Sequence, residues 1–386
     1  MSIVTAKRLE TVEEYYFSKK LREVRTLALQ GKPIINMAIG SPDLEPPATV
    51  IKAITEAVLV NGAHKYQSYQ GLPQLRKAIV DFYEQHYGVS LNMETEVLPL
   101  MGSKEGIMHI SMAYLNEGDA VLIPNPGYPT YTSVSKLLGA TPMFYNLSAT
   151  NNWQPDLEAL EKEDLSKVKI MWINYPHMPT GASGSKEMFK NLIAFAKKHQ
   201  ILLVNDNPYS FVLNPNPISI LSIPGAKEVV IELNSLSKTF NMAGWRVGMV
   251  LGHATKIEAI LKVKSNMDSG MFQGLQKGAI AALECGTDWF NKMNTIYVKR
   301  RKLIWKLATM LGCSYDKNAT GMFVWSKLPA SISDAEAFID RILYEKSIFI
   351  TPGTIFGSQG KGYIRFSLCI DEKAIEKAIE RLNGFV

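Results

Sequence analysis

The stretch Ser235-Leu-Ser-Lys238-Thr-Phe-Asn-Met-Ala-Gly-Trp-Arg246-Val-Gly248 decides how this chain is read. It sets one lysine among hydroxyls and follows it eight residues later with an arginine. A lysine amine can condense with an aldehyde, and Ser235, Ser237 and Arg246 can receive a phosphate. The apolar run Glu228-Val-Val-Ile-Glu-Leu233 just before it reads as the strand that delivers these groups. The segment is suited to holding a phosphorylated aldehyde.

Working outward, short β-rich runs alternate with longer amphipathic ones. Ala120–Pro124, Val168–Ile173, Ile201–Val204, Val229–Leu233 and Val247–Leu251 read as buried strands bounded by Gly, Pro and Asn. Between them, segments such as Ser185–Lys198 place apolar residues at helical spacing. The pattern predicts an α/β fold, a large domain with a mostly parallel sheet covered by helices. After it comes a smaller α+β domain, with a long helix over Trp289–Ile304 and strands over Gly321–Trp325 and Tyr363–Ser367. The expected divisions are an N-terminal arm with part of the small domain (1–45), a large domain (46–272) and a small C-terminal domain (273–386). No internal repeat or low-complexity linker separates them.

Length and composition narrow the function. At 386 residues the chain exceeds the size at which one core stops growing, which favours two domains. It is 46% hydrophobic and 20% charged, has no apolar run able to span a bilayer, and opens without a secretory apolar core. A cytoplasmic location with no membrane partner is expected. The net charge of +6 is spread over 42 basic and 36 acidic residues without a basic block, so no nucleic-acid partner is expected. Cys285, Cys313 and Cys369 are isolated and odd in number, and the six histidines show no metal-ligand spacing, so neither a disulfide framework nor a metal is expected.

Open parallel sheets bind ligands beyond the carboxyl ends of their strands. Tyr128, Asn174, Asp206 with Tyr209, and Lys238 all follow predicted strands. In Met101-Gly-Ser-Lys-Glu-Gly106, ahead of Ile107-Met-His-Ile110, a helix start would aim unpaired amides of Ser103 and Lys104 at an anion.

The Lys238 segment resembles the cofactor-lysine segment of the fold-type I aminotransferases, class I and II, which use pyridoxal 5'-phosphate (PLP). The resemblance runs from Asn36-Met-Ala-Ile-Gly-Ser-Pro-Asp43 to Arg365 and takes in Thr351-Pro-Gly-Thr-Ile-Phe-Gly357. It implies that Lys238 bonds the cofactor aldehyde and then moves the substrate's Cα proton, that Asp206 pairs with the pyridine nitrogen, and that Tyr209 donates to the 3-oxygen. Tyr128 would stack on the ring, with Ser103, Lys104, Ser235, Ser237 and Arg246 around the phosphate. Arg365 would fork onto the substrate carboxylate beside Gly40. The segment Tyr66-Gln-Ser-Tyr-Gln-Gly71 looks like the stretch in which a tyrosine crosses a dimer interface to the partner's phosphate, implying a homodimer with shared sites and Tyr66 as that residue. Gly102–Ile107 and Asn266–Phe272 are similar to the branch containing LL-diaminopimelate aminotransferases. The implied reaction moves an amino group from an L-amino acid to a 2-oxo acid in two stages.

One position departs from the family. Its usual Asn-Pro-Thr-Gly is Met178-Pro-Thr-Gly181 here, and a thioether cannot donate to the 3-oxygen. The missing donor corresponds to a shift on the order of one pKa unit at the cofactor. Asn174 or His177 can stand in. Taken alone, Ser-x-x-Lys is weak, recurring at Ser133–Lys136 and Ser183–Lys186, and the Ser-Asp-Asn and Lys-Thr-Gly elements of a hydrolase of that type are absent. Two alternatives share the fold: a PLP-dependent C–S lyase working by β-elimination, and a weakly catalytic PLP-binding protein.

Overall fold

The computed structural model describes residues 3–14 and 16–385. Met1 and Ser2, which begin the N-terminal stretch read above, lie outside them, as do Tyr15 and Val386. The large unit is built on seven strands: β1 (Val97–Leu100), β2 (Ala120–Asn125), β3 (Thr141–Asn146), β4 (Val168–Ile173), β5 (Leu202–Asp206), β6 (Val230–Ser235) and β7 (Gly248–Gly252). Their spatial order is β1-β7-β6-β5-β4-β2-β3. Neighbours run parallel except around β7, which is antiparallel to both β1 and β6.

Alternation along the inner strands explains why they read as continuous apolar runs. In β4, Ile170 and Trp172 enter one core, while Met171 and Ile173 enter the core on the opposite face. The first face is covered by helices Ser103–Tyr114, Pro129–Leu137 and Ala254–Lys264, the second by Pro73–Tyr87, Lys186–His199 and Gln273–Leu283. A strand buried on both sides has no polar face to display. Helix Lys186–His199 starts where Ser185 accepts from Met188 N at 3.1 Å, a side-chain N-cap, and stops at Gln200 in the left-handed region.

The sequence reading names neither β1 nor β3. Both are sheet edges, and each carries a proline, Pro99 and Pro142, that breaks the β-rich pattern. An edge tolerates the missing N–H, so tertiary position overrides the local signal.

The second unit holds a four-stranded antiparallel sheet: β8 (Ser314–Tyr315), β9 (Phe323–Lys327), β10 (Thr351–Pro352) and β11 (Tyr363–Ser367), in the order β10-β11-β9-β8. Helices Thr287–Met310, Ala335–Lys346 and Glu372–Leu382 pack on it. The N-terminal arm belongs to this unit, since Ile35–Asn36 pairs in parallel with Ile348–Phe349 and Met37 enters its core. That core also takes Met178 and Tyr209 from loops of the large unit. The second unit is thereby fixed over the carboxyl ends of β4 and β5. Among the described residues no helix is long and apolar enough to cross a membrane.

Candidate active site

A cavity of about 350 Å³ opens between the strand ends of the large sheet and the second unit. Its wall holds Gly40, Ser103, Lys104, Tyr128, Asn174, Asp206, Tyr209, Ser235, Ser237, Lys238, Arg246 and Arg365, whereas Tyr66 and the alternative donor His177 lie outside it.

Lys238 stands on the single helical turn Leu236–Thr239 that follows β6, and its amine donates to Gly40 O. Burial holds this amine below the usual lysine range, and the nearby Arg365 and Arg246 guanidiniums add to the effect. A lysine that is more readily neutral is a better nucleophile and base.

Asp206, the last residue of β5, is buried. One oxygen accepts from Tyr131 OH at 2.9 Å, and Oδ1 has no partner among the described residues. Burial raises this carboxyl from 3.8 to about 6, against the Tyr131 hydrogen bond that lowers it. A buried carboxylate with an open acceptor is incomplete without a cationic donor. Tyr131 is itself locked by stacking on Trp172, with ring centroids 4.8 Å apart and planes at 6°.

At the other end of the cavity lies an anion cup. Gly102, with φ +89°, turns the chain into helix Ser103–Tyr114, whose first amides face it. A Cβ on Gly102 would lie 2.2 Å from Arg246 Nη2, and one on Gly248 would lie 2.7 Å from Ser103 N, so both positions need glycine for close approach. Ser235 and Ser237 are joined through their hydroxyls at 2.8 Å. Partial burial and the Arg246 guanidinium hold Lys104 below its usual range. Below the cup, Glu105 accepts from Met101 N at 2.6 Å and lies 3.4 Å from His109 Nε2. Glu105, His109 and Asp268 gather their ligand atoms within 4.8 Å, a cluster that histidine spacing does not reveal. Lys264, 2.7 Å from Asp268, places a protein cation at that corner.

Arg365 sits mid-strand in β11, between Trp325 of β9 and Thr351 of β10. Nη2 donates to Ala38 O at 2.8 Å and Nη1 points at Met178 Sδ at 3.4 Å. Its Cζ lies 3.9 Å from the Phe323 ring centre and 4.7 Å from that of Phe356. Gly40 leaves room for Phe323, since a Cβ there would come within 2.4 Å of the ring.

Asn174 reaches the cavity, but both ends of its amide are engaged with backbone: Nδ2 donates to Asp206 O and Oδ1 accepts from Met178 N at 2.8 Å. His177 is buried outside the cavity wall, paired with Thr180 Oγ1 at 2.7 Å, and burial lowers it to about 3, keeping the ring neutral. Tyr66 is 90% exposed. Sequence reasoning misses Tyr131 and Glu232. Glu232 is buried in β6 and accepts from Tyr83 OH and Ser219 Oγ, each at 2.9 Å, from Ile220 N at 3.1 Å and from its register partner Asn205 at 3.3 Å. Asn205 in turn accepts from Tyr175 N at 3.1 Å, which ties the loop after β4 to β5. A glutamate inside an apolar run was the available signal for this network.

The donor set fits PLP: an amine near an aldehyde position, an open buried carboxylate for a protonated ring nitrogen, aromatic cover and an anion cup. Residues 32–382 match the family model described as aminotransferase class I and II. The chain belongs to that family and depends on PLP to move amino groups. Among its relatives, the LL-diaminopimelate aminotransferase of Dehalococcoides mccartyi (strain 195) is 40% identical over 385 residues, 98% of either chain. The substrate-bound BacF structure from Bacillus subtilis superposes with a TM-score of 0.95 at 34% identity, covering 100% of this chain and 98% of that one. An aromatic aminotransferase from Pyrococcus horikoshii OT3 gives 0.88 at 27% identity over 98% and 97% of the two chains.

Proposed function

We propose that this site carries out a two-stage transfer, in which an L-amino acid gives up its amino group and leaves as a 2-oxo acid before a second 2-oxo acid takes the group up. When bound, PLP supplies an electron sink for the pair left as the Cα–H bond breaks. Lys238 takes that proton and hands it on, its amine kept toward the neutral form by burial. Asp206 Oδ1 would accept from the protonated ring nitrogen, Tyr209 would donate to the 3-oxygen and Tyr128 would cover the ring. The amides of Ser103 and Lys104, with Ser235, Ser237 and Arg246, would hold the phosphate. Arg365 binds the substrate's α-carboxylate beside Gly40.

The observation that carries this reading is the open oxygen of buried Asp206 in the same cavity as Lys238. The molecule acts in this reading as a homodimer, with exposed Tyr66 reaching the other copy's cup. The names of the curated relatives suggest a donor with more than one carboxylate. Lys238→Ala is expected to lower turnover at least about 10³-fold, from loss of both nucleophile and proton carrier, while equilibrium dialysis still detects PLP in the cup. A variant keeping a tenth of the activity would overturn the assignment.

A further inference from the structure

We infer that Tyr83 is a positioning residue for the cofactor, a link in a buried relay that runs from Glu232 through Tyr83 and Asn234 to Ser235 and fixes the anion cup; the inference rests on the assignment of that cup to the PLP phosphate. Glu232 and Asn234 alternate onto the face of β6 covered by helix Pro73–Tyr87, which carries Tyr83. Glu232 and Tyr83 are wholly buried. The hydroxyls of Tyr83 and Ser219 both donate to Glu232 Oε1 at 2.9 Å, while Ile220 N and Asn205 Nδ2 donate to Oε2 at 3.1 and 3.3 Å. All four meet it as donors, the set that suits an ionised carboxyl. Burial pushes this carboxyl up, and each of the four donors works against that rise. Burial and the adjacent Glu232 charge hold the Tyr83 phenol well above its ordinary range, so it keeps its proton.

A carboxylate only accepts, so it sets the direction of every bond beyond it. Tyr83 gives its one proton to Glu232, and its oxygen is left to accept from Asn234 Nδ2 at 3.0 Å. With its amino end turned that way, Asn234 presents Oδ1 to Ser235 N at 2.7 Å. Ser235 Oγ in turn accepts from Ser237 N at 3.1 Å, capping the turn that bears Lys238. That turn is four residues long, too short to hold its own shape, so its geometry comes from the groups around it. Tyr83 lies outside the cavity wall and acts through Ser235 alone. Ser219 bonds the same carboxylate oxygen but leads away from the cup, to Leu221 N at 3.1 Å.

The difference between these two hydroxyls supplies the test. The cofactor-free protein is titrated by equilibrium dialysis with PLP and with pyridoxal, which lacks the phosphate. Tyr83→Phe keeps the ring and is expected to weaken PLP binding about tenfold while pyridoxal stays within about twofold. Asn234→Ala, which breaks the relay one link further on, is expected to show the same loss and carries the test if Tyr83→Phe does not fold. Ser219→Ala is expected to lower stability to urea as Tyr83→Phe does and to leave PLP affinity unchanged. Unchanged PLP affinity in Tyr83→Phe, an equal loss in Ser219→Ala, or a loss that pyridoxal shares in full would overturn the inference. Arg246→Ala judges the phosphate assignment separately: an undiminished preference for PLP over pyridoxal overturns that assignment, whereas the relay is decided by Tyr83→Phe against Ser219→Ala.

Discussion

Asp206 holds its proton to about pH 6 in the cofactor-free protein because burial penalises its charged form. Below pH 3.8 the carboxyl is protonated in both folded and unfolded chains. As pH rises from 3.8 through about 6, the unfolded chain gives up the proton first, so stability present at low pH is lost across that window. About two pKa units correspond to roughly 3 kcal/mol at most. Urea unfolding of the cofactor-free protein is expected to show that loss between pH 4 and 7, and Asp206→Asn is expected to lack it; parallel curves would contradict the burial argument. Asp206 stands out in the sequence because it ends a β-run shortly before Tyr209. Its partner Tyr131 does not, since the contact spans 75 residues and only the folded sheet creates it. Phe356 is illegible for the same reason: an aromatic residue in a turn carries no local sign that it will flank a distant guanidinium.

At the scale of elements, the cup proposed for the phosphate is a meeting of the start of helix Ser103–Tyr114, the helical turn Leu236–Thr239 and left-handed Arg246. Gly102 and Gly248 set how closely they approach. A methyl group at Gly102 displaces the Arg246 guanidinium and strains a φ of +89°. Gly102→Ala is therefore expected to weaken PLP binding about tenfold, measured by dialysis, with a stability cost of about 1–2 kcal/mol. Unchanged PLP affinity would contradict the close-approach argument. The inner strands β2, β4, β5, β6 and β7 are legible as apolar runs because both faces are buried. The edge strands β1 and β3 are not, because Pro99 and Pro142 read as breakers until the sheet's order shows that an edge can hold them.

For the whole molecule, the two units close one cavity, and Tyr66 stands apart from it at 90% exposure. If sites are shared between copies, inactive Lys238→Ala and impaired Tyr66→Phe subunits should complement. Their mixed dimer holds one site with Lys238 and the other copy's Tyr66 both intact. Mixing after subunit exchange is expected to restore activity above the sum of the parents, and no gain would contradict a shared site. The account's central claim is two-stage amino transfer. It is tested most directly by adding a single amino acid to the PLP-loaded protein without any 2-oxo acid and following the visible spectrum together with the released products. The account predicts stoichiometric conversion of the cofactor to its aminated form and one equivalent of 2-oxo acid per site, then a halt until an acceptor is added. Continuous ammonia release with the starting spectrum retained would contradict it.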